Sequence, residues 1–196
     1  SRWLTPVKER FGEVFANHFS TIGVVGGNEM CLNLLGVPIT DPAGQELALC
    51  VLHTLRECCA QAQDETGHLF NLEATPAEGC SYRLAKIDKS MYPDIRVANE
   101  EAWRRGAAPY YTNPTHPPVG WSNDPFEVIE HQESLQALYT GGTVTHFWSE
   151  DALPDPHACR EFILKVCRHS RLPYITLTPS FSICPTHGYL AGEHFI

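Results

Sequence analysis

The residues best suited to chemistry fall in three places. The densest is the last stretch of the chain. Tyr174-Ile175-Thr176-Leu177-Thr178 alternates apolar and β-branched residues and reads as a buried strand ended by Pro179. A polar loop is expected after it, carrying Ser180, Ser182, Cys184, His187 and Gly188. A strand that delivers Ser, Cys and His to one rim can build a site on a rigid scaffold. Cys184 and His187, with Glu193 and His194, are metal-ligand types, but zinc wants four ligands and this spacing matches no closed motif. No metal site is therefore assigned. Cys184 activated by His187 would be a thiol nucleophile, which needs an orienting third group that the sequence does not identify. A ligand-contact role for Cys184, and loop hydrogen bonding by Ser and His, stand beside these readings.

The second place is FNLEATPAE. Asn71, Glu73 and Thr75 recur every second residue, so an extended chain puts all three on one face before Pro76 breaks the run. A strand face that is wholly polar either meets water or lines a site. The third is Thr140-Gly141-Gly142-Thr143, which resembles an anion-cradling turn but matches neither the P-loop nor the dinucleotide fingerprint. His146 and Cys31 read as packed residues.

Elements must hold these groups in place. A helix is expected over Arg2–Phe19, then a strand to Val25 ending at Gly26-Gly27. Asn28 is expected to cap a short helix, Glu29–Leu35, closed by Gly36. Asp41-Pro42 opens the longest helix, to about Asp64, with Leu47, Val51, Leu52, Leu55, Cys58, Cys59 and Ala62 as its buried stripe. Tyr82–Ile87 reads as a strand and Asn99–Arg105 as a short helix. Pro109–Gly120 holds four prolines and reads as an ordered loop around Asn113. Asp124-Pro125 opens a helix burying Phe126, Ile129, Leu135 and Leu138. Asp155-Pro156 opens another, to Ser170, burying Phe162, Ile163, Val166 and Cys167. Strand, helix, strand over the last third is a parallel βαβ unit. The loops Thr140–Thr143 and Ser180–His187 are expected to flank neighbouring strands of one sheet.

The 196 residues suffice for one sizeable core, with 43% hydrophobic and 19% charged residues. A formal net charge of −9 argues against a nucleic-acid partner but not against a nucleotide, whose phosphates backbone N–H groups can hold. No apolar run is long enough to span a bilayer. Eight cysteines without a Cys-x-x-Cys pair or a visible secretory signal suggest a reduced, cytoplasmic chain. The opening Ser1-Arg2-Trp3 and the ending Phe195-Ile196 suggest that residues 1–196 are one part of a larger chain.

Five segments in one order are together specific: FSTIGVVGGNEMCLNLLG, FNLEATPAEGCSYRLAKID, YYTNPTHPPV, LYTGGTVTHF and TPSFSICPTHGYLAGEH. From about Phe19 to Ile196 the chain resembles the catalytic subunit of the anaerobic, class III, ribonucleoside-triphosphate reductases, a glycyl-radical family. The resemblance implies an α/β fold, the second half of a ten-stranded barrel with helices flanking parallel strands. It implies an oxygen-sensitive radical enzyme that reduces ribonucleoside triphosphates to 2′-deoxyribonucleoside triphosphates.

It also implies partners and cofactors: a radical-SAM activase with an iron–sulfur cluster, formate or a thiol reductant, and a homodimer in the full protein. The family's thiyl-radical loop and ATP/dNTP effector region lie upstream of the matching segments. Its zinc cysteines and radical glycine lie downstream. No catalytic residue is therefore assigned here, and the piece alone is expected to be inactive. Glu73, Thr75 and Asn113 are candidates for contacts around the sugar and the reducing pocket. Thr140, Gly141, Gly142, Thr143, Ser180, Ser182 and Cys184 are candidates for the triphosphate side. Two alternatives remain: a noncatalytic nucleotide-binding relative, and a Cys/His hydrolase or zinc protein built on Cys184 and His187.

Overall fold

The computed structural model describes residues 3–15, 17–118, 120–149, 155–179, 181–184 and 186–191. They divide into two compact units, Ser1–Trp121 with Leu138–Thr143, and Ser122–Ala137 with Val144–Ile196.

In the first unit, α1 (Thr5–Phe11) ends at Gly12, whose φ of 85° stops the helix well short of Phe19. The strand β1 (Phe19–Val24) leads through Gly26, at φ 77°, into α2 (Gly27–Leu34). Gly26 is the N-cap, so Asn28 lies inside the helix and not at its cap. There it is buried, and its Oδ1 accepts from Ile39 N at 3.1 Å. The long helix α3 (Pro42–Thr66) is capped by Asp41, which accepts from Ala43 N at 2.9 Å, and closes on left-handed Gly67. It buries Gly44, Ala48, Leu52 and Cys59, while Cys58, expected in the stripe, is exposed.

The strand β2 (Leu69–Ala74) pairs parallel with β1, with Thr21 opposite Asn71 and Gly23 opposite Glu73. Helix α3 packs on β2. Residues 82–87, expected as a strand, lie inside α4 (Glu78–Met91), and Ala85 is fully buried. Its β-branched content is a single Ile, too little to override the apolar spacing of a helix. After α4 come α5 (Glu100–Arg104) and the proline loop. Ala85, Val97 and Tyr111 form a core cluster with Leu84 and Trp103.

In the second unit, α6 (Pro125–Gln136) is capped by Asp124, which accepts from Phe126 N at 2.8 Å. It buries Ile129 and Leu135, but Phe126 is 47% exposed. The strands β3 (Thr145–Ser149) and β4 (Ile175–Pro179) pair parallel around α7 (Pro156–His169), the expected βαβ unit. Asp155 caps α7 by accepting from His157 N and Ala158 N, both at 3.1 Å. Ile129, Phe147 and Val166 form the core, with Phe162 edge-on to Phe147 at 5.4 Å. Ile163 and Cys167, expected inside, are exposed.

The stretch expected as an open polar loop after Pro179 is instead a hairpin, β5 (Phe181–Cys184) with β6 (Gly188–Ala191). Phe181-Ser182-Ile183 alternates apolar and polar residues, the sequence pattern of a strand. Along the chain, residues 140–143 precede β3 and residues 180–187 follow β4, so the two stretches flank neighbouring strands of one sheet, as expected. Thr140 and Gly142 themselves bond to β2 in the first unit, and β5 and β6 pair with each other.

Candidate functional site at the carboxyl end of the first strand pair

Ligands of α/β folds gather outside the carboxyl ends of parallel strands. At that end of β1 and β2, three segments meet. The first is β2 itself. Leu72 is fully buried and Ala74 nearly so, while Asn71 and Glu73 alternate with them and Thr75 follows, as the pattern predicts. The Oδ1 of Asn71 and the Oγ1 of Thr75 are buried without any hydrogen-bond partner.

The second segment is Leu138–Thr143, which lies along the outer edge of β2. The N–H groups of Thr140 and Gly141 both donate to Leu72 O, at 3.0 and 2.8 Å, and Ala74 N donates to Gly142 O at 2.9 Å. Leu72 N donates to Thr140 Oγ1 at 3.0 Å. The turn thus serves first as a cap on a sheet edge, and two of its N–H donors are already committed. Its glycines matter sterically. A Cβ on Gly141 would lie 3.1 Å from Asn71 Nδ2, and one on Gly142 would lie 3.1 Å from Glu73 Oε1. On the other side of β2, a Cβ on Gly23 would overlap Thr75 Oγ1.

The third segment is the proline loop, seated on the turn between β1 and α2. Gly26 N donates to Thr112 O at 2.8 Å and Gly27 N to Pro114 O at 2.6 Å. Between these anchors sits Asn113, whose Oδ1 is also buried and unpartnered. Thr115 and Tyr139 share a hydroxyl–hydroxyl hydrogen bond of 3.1 Å. Burial pushes the Tyr139 phenol up to about 12, against the opposing effect of the Thr115 bond. Tyr111 is raised as well, by burial and then by its 2.7 Å bond to Asp88.

Three of the residues singled out in the sequence, Asn71, Thr75 and Asn113, therefore hold buried orphan polar atoms, and Glu73 stands beside Gly142. An unmade bond at a buried polar atom costs about 1–3 kcal/mol, so three in one region is a cost that a ligand can relieve. Gly23, Glu29, Thr112, Thr115 and Tyr139 were not singled out. The available signal was the order strand, Gly-Gly, helix, which places residues 26–29 at the carboxyl end of a strand.

The second unit holds the other candidates. Cys184 Sγ lies 3.3 Å from His187 Nδ1 on the hairpin, so the two do meet. Among the described residues no group of three His, Cys, Asp or Glu side chains is placed to hold a metal. Ser180 lies outside the described residues. The backbone of Ser182 pairs with Leu190. His146, read as a packed residue, bonds through Nδ1 to Thr176 Oγ1 of the adjacent strand at 2.7 Å.

Comparison with known proteins defines the class first. Over 98% of its length the chain superposes on 30% of an anaerobic ribonucleotide reductase from Thermotoga maritima, solved with glycerol in the active site, at a TM-score of 0.71 and 20% identity. The fold is the α/β fold of that enzyme class. A family model described as anaerobic ribonucleoside-triphosphate reductase matches residues 2–196, and the chain belongs to that family. It is 29% identical over 136 residues to the anaerobic ribonucleoside-triphosphate reductase of Enterobacteria phage T4, covering 68% of this chain and 20% of that protein. Against the Haemophilus influenzae protein of the same name it is 25% identical over 143 residues, covering 70% of this chain and 19% of that protein. The chain thus spans about a fifth of the length of these relatives. The hydrolase and zinc-protein alternatives are not favoured by this membership. No helix among the described residues is long and apolar enough to cross a membrane.

Proposed function

We propose that this chain supplies substrate-pocket segments of an anaerobic ribonucleoside-triphosphate reductase, a radical enzyme that removes the 2′ hydroxyl of ribonucleoside triphosphates. The observation that carries the reading is the set of orphan atoms Asn71 Oδ1, Thr75 Oγ1 and Asn113 Oδ1 at the carboxyl end of β1 and β2. Amide oxygens only accept hydrogen bonds, and a hydroxyl can do either. A partner of the two amide oxygens must donate, and the Thr75 hydroxyl fits either kind of partner. Sugar hydroxyls donate, whereas ionised phosphate oxygens do not. The orphan set therefore suits the ribose, with the Glu73 carboxylate as a further acceptor beside it. Thr140 and Gly141, with N–H groups committed to Leu72, shape the pocket wall. Gly142, Thr143, Ser180, Ser182 and Cys184 remain candidates for the triphosphate side.

The rest of the enzyme belongs to the same reading. The glycyl radical, a zinc site and the effector sites are assigned to residues outside this chain. A radical-SAM activase, formate or a thiol reductant, homodimer assembly and a cytoplasmic setting complete it. No group of three His, Cys, Asp or Glu side chains among the described residues is placed to hold that zinc.

Calorimetric titration of the full protein with CTP and with inorganic tripolyphosphate tests the assignment. CTP is expected to bind, to bind more tightly than tripolyphosphate, and to weaken about tenfold in Asn71→Ala, one hydrogen bond being worth that order. Tripolyphosphate binding as tightly as CTP, with no effect of Asn71→Ala, overturns it. The 196-residue chain mixed with its activase is expected to form no deoxyribonucleotide, and turnover by it would refute that part.

A further inference from the structure

We infer that Glu29 is the positioning residue for Asn113, clamping the proline loop onto the turn between β1 and α2 so that the Asn113 amide is held for a ligand. The inference rests on the nucleotide reading above only for the identity of that ligand.

Glu29 is 2% exposed, near the amino end of α2. Its Oε1 accepts from Asn28 Nδ2 at 2.9 Å and from Thr112 Oγ1 at 2.8 Å, and its Oε2 accepts from Thr112 N at 2.8 Å. Thr112 is 83 residues away in the chain. Its carbonyl returns a bond to Gly26 N, and the Pro114 carbonyl bonds to Gly27 N. Asn113 is bracketed by these two anchored residues. The packing leaves no slack: a Cβ on Gly27 would lie 2.7 Å from Pro114 O and 3.0 Å from Thr115 Cγ2.

Two features separate this clamp from ordinary loop packing. The first is that the group is a carboxylate. Three donors converge on its two oxygens, and only an acceptor at both positions serves all three. A glutamine in either orientation turns its NH₂ toward Thr112 N–H or toward Asn28 Nδ2, a donor against a donor. A buried carboxylate is a costly way to hold a loop. The second is what the clamp holds. The residue between its anchors has an amide oxygen that is buried and unpartnered. A loop ordered at that cost around a second unmet cost is ordered for a partner that binds there.

The test uses the full protein, with CTP as the probe, and the variants Glu29→Gln, Asn113→Ala, their double, Thr112→Ser and Gly27→Ala. Glu29→Gln and Asn113→Ala are each expected to weaken CTP binding about tenfold, and the double variant no further, because the first acts through the second. Thr112→Ser keeps both donors, so the protection of the Gly26 amide is expected to survive it. Gly27→Ala pushes the Pro114 carbonyl away and is expected to weaken CTP binding as well. Should Glu29→Gln fold poorly, Thr112→Val, which removes only the hydroxyl donor to Glu29, is expected to speed exchange at Gly26 and keeps the test open. Amide exchange at Gly26 and Gly27 reads the clamp without a ligand, and both are expected to exchange faster in Glu29→Gln.

Losses that add in the double variant, or unchanged exchange at Gly26 and Gly27, overturn the inference. CTP binding absent in wild type, or untouched by Asn113→Ala, overturns the assignment of the ligand instead. The exchange result then still decides whether Glu29 holds the loop.

Discussion

Among the described residues, two parallel strand pairs contrast in how they satisfy their polar groups. Across β3 and β4, His146 bonds to Thr176 on the facing strand. The unpartnered hydroxyl recorded there, Thr145 Oγ1, lies at the amino end of β3. In β1 and β2 the polar side chains run along β2 toward its carboxyl end, and two of them, Asn71 and Thr75, keep buried atoms without partners. The same pairing geometry thus leaves different polar capacity in the two cases. Unmet hydrogen-bonding capacity toward the carboxyl end of β2 is the difference, and the proposed ligand site rests on it.

The largest effect that can sharpen this contrast is a loss of core. Leu72 is fully buried beneath the polar face, and Leu72→Ala is expected to cost about 2–5 kcal/mol in chemical denaturation. The Leu72 main-chain groups that hold Thr140 and Gly141 persist in the variant, so CTP binding should fall only as far as the strand shifts into the cavity. Next comes Gly23→Ala. The new Cβ overlaps Thr75 Oγ1, and the strain should cost about 1–3 kcal/mol, partly relieved when Thr75→Ala is added. If Gly23→Ala is neutral, Thr75 is free to move and its orphan hydroxyl loses meaning.

Tyr139→Phe removes one hydroxyl bond and should cost about 1 kcal/mol. It carries a pH signature. The folded phenol stands near 12 against an ordinary 10, so its contribution to stability is complete below pH 10 and is lost as pH rises toward 12. The variant should lose part of that alkaline decline in a pH-dependent denaturation series, with Tyr111, Cys31 and Cys59, each raised by burial, contributing to what remains. The smallest effect belongs to the other pair. Thr176→Val breaks the bond to His146 on an exposed face and should cost about 0.5–1 kcal/mol with CTP binding unchanged. A clear loss of binding in that variant would erase the distinction between the two pairs.

Much of the site was legible because it depends on spacing. The alternation Asn71, Glu73, Thr75 around Leu72 and Ala74 needs only a strand to become one polar face and one buried face. The three Asp-Pro starts at Asp41, Asp124 and Asp155 cap their helices as read, since a cap is a bond between residues two or three apart. The five ordered segments carried the family. What failed was what depends on neighbours. Cys58, Phe126, Ile163 and Cys167 fit an apolar stripe, yet their side chains stay exposed, Phe126 in spite of its edge contact with Phe162. Residues 82–87 became helix, and the stretch after Pro179 became a hairpin.

The sequence by itself determined local geometry and kinship: which runs are strands, where helices start, which residues are chemically able to hold a nucleotide, and which family the chain joins. Only the tertiary structure decided how those groups are used. It committed the Thr140 and Gly141 donors to Leu72 across 68 and 69 residues, and tied Glu29 to Thr112 across 83. It left Asn71, Thr75 and Asn113 with atoms unbonded. The reason is physical. Caps and alternation are set by neighbours along the chain, whereas the satisfaction of a buried polar atom depends on whichever distant residue folding brings within about 3 Å of it.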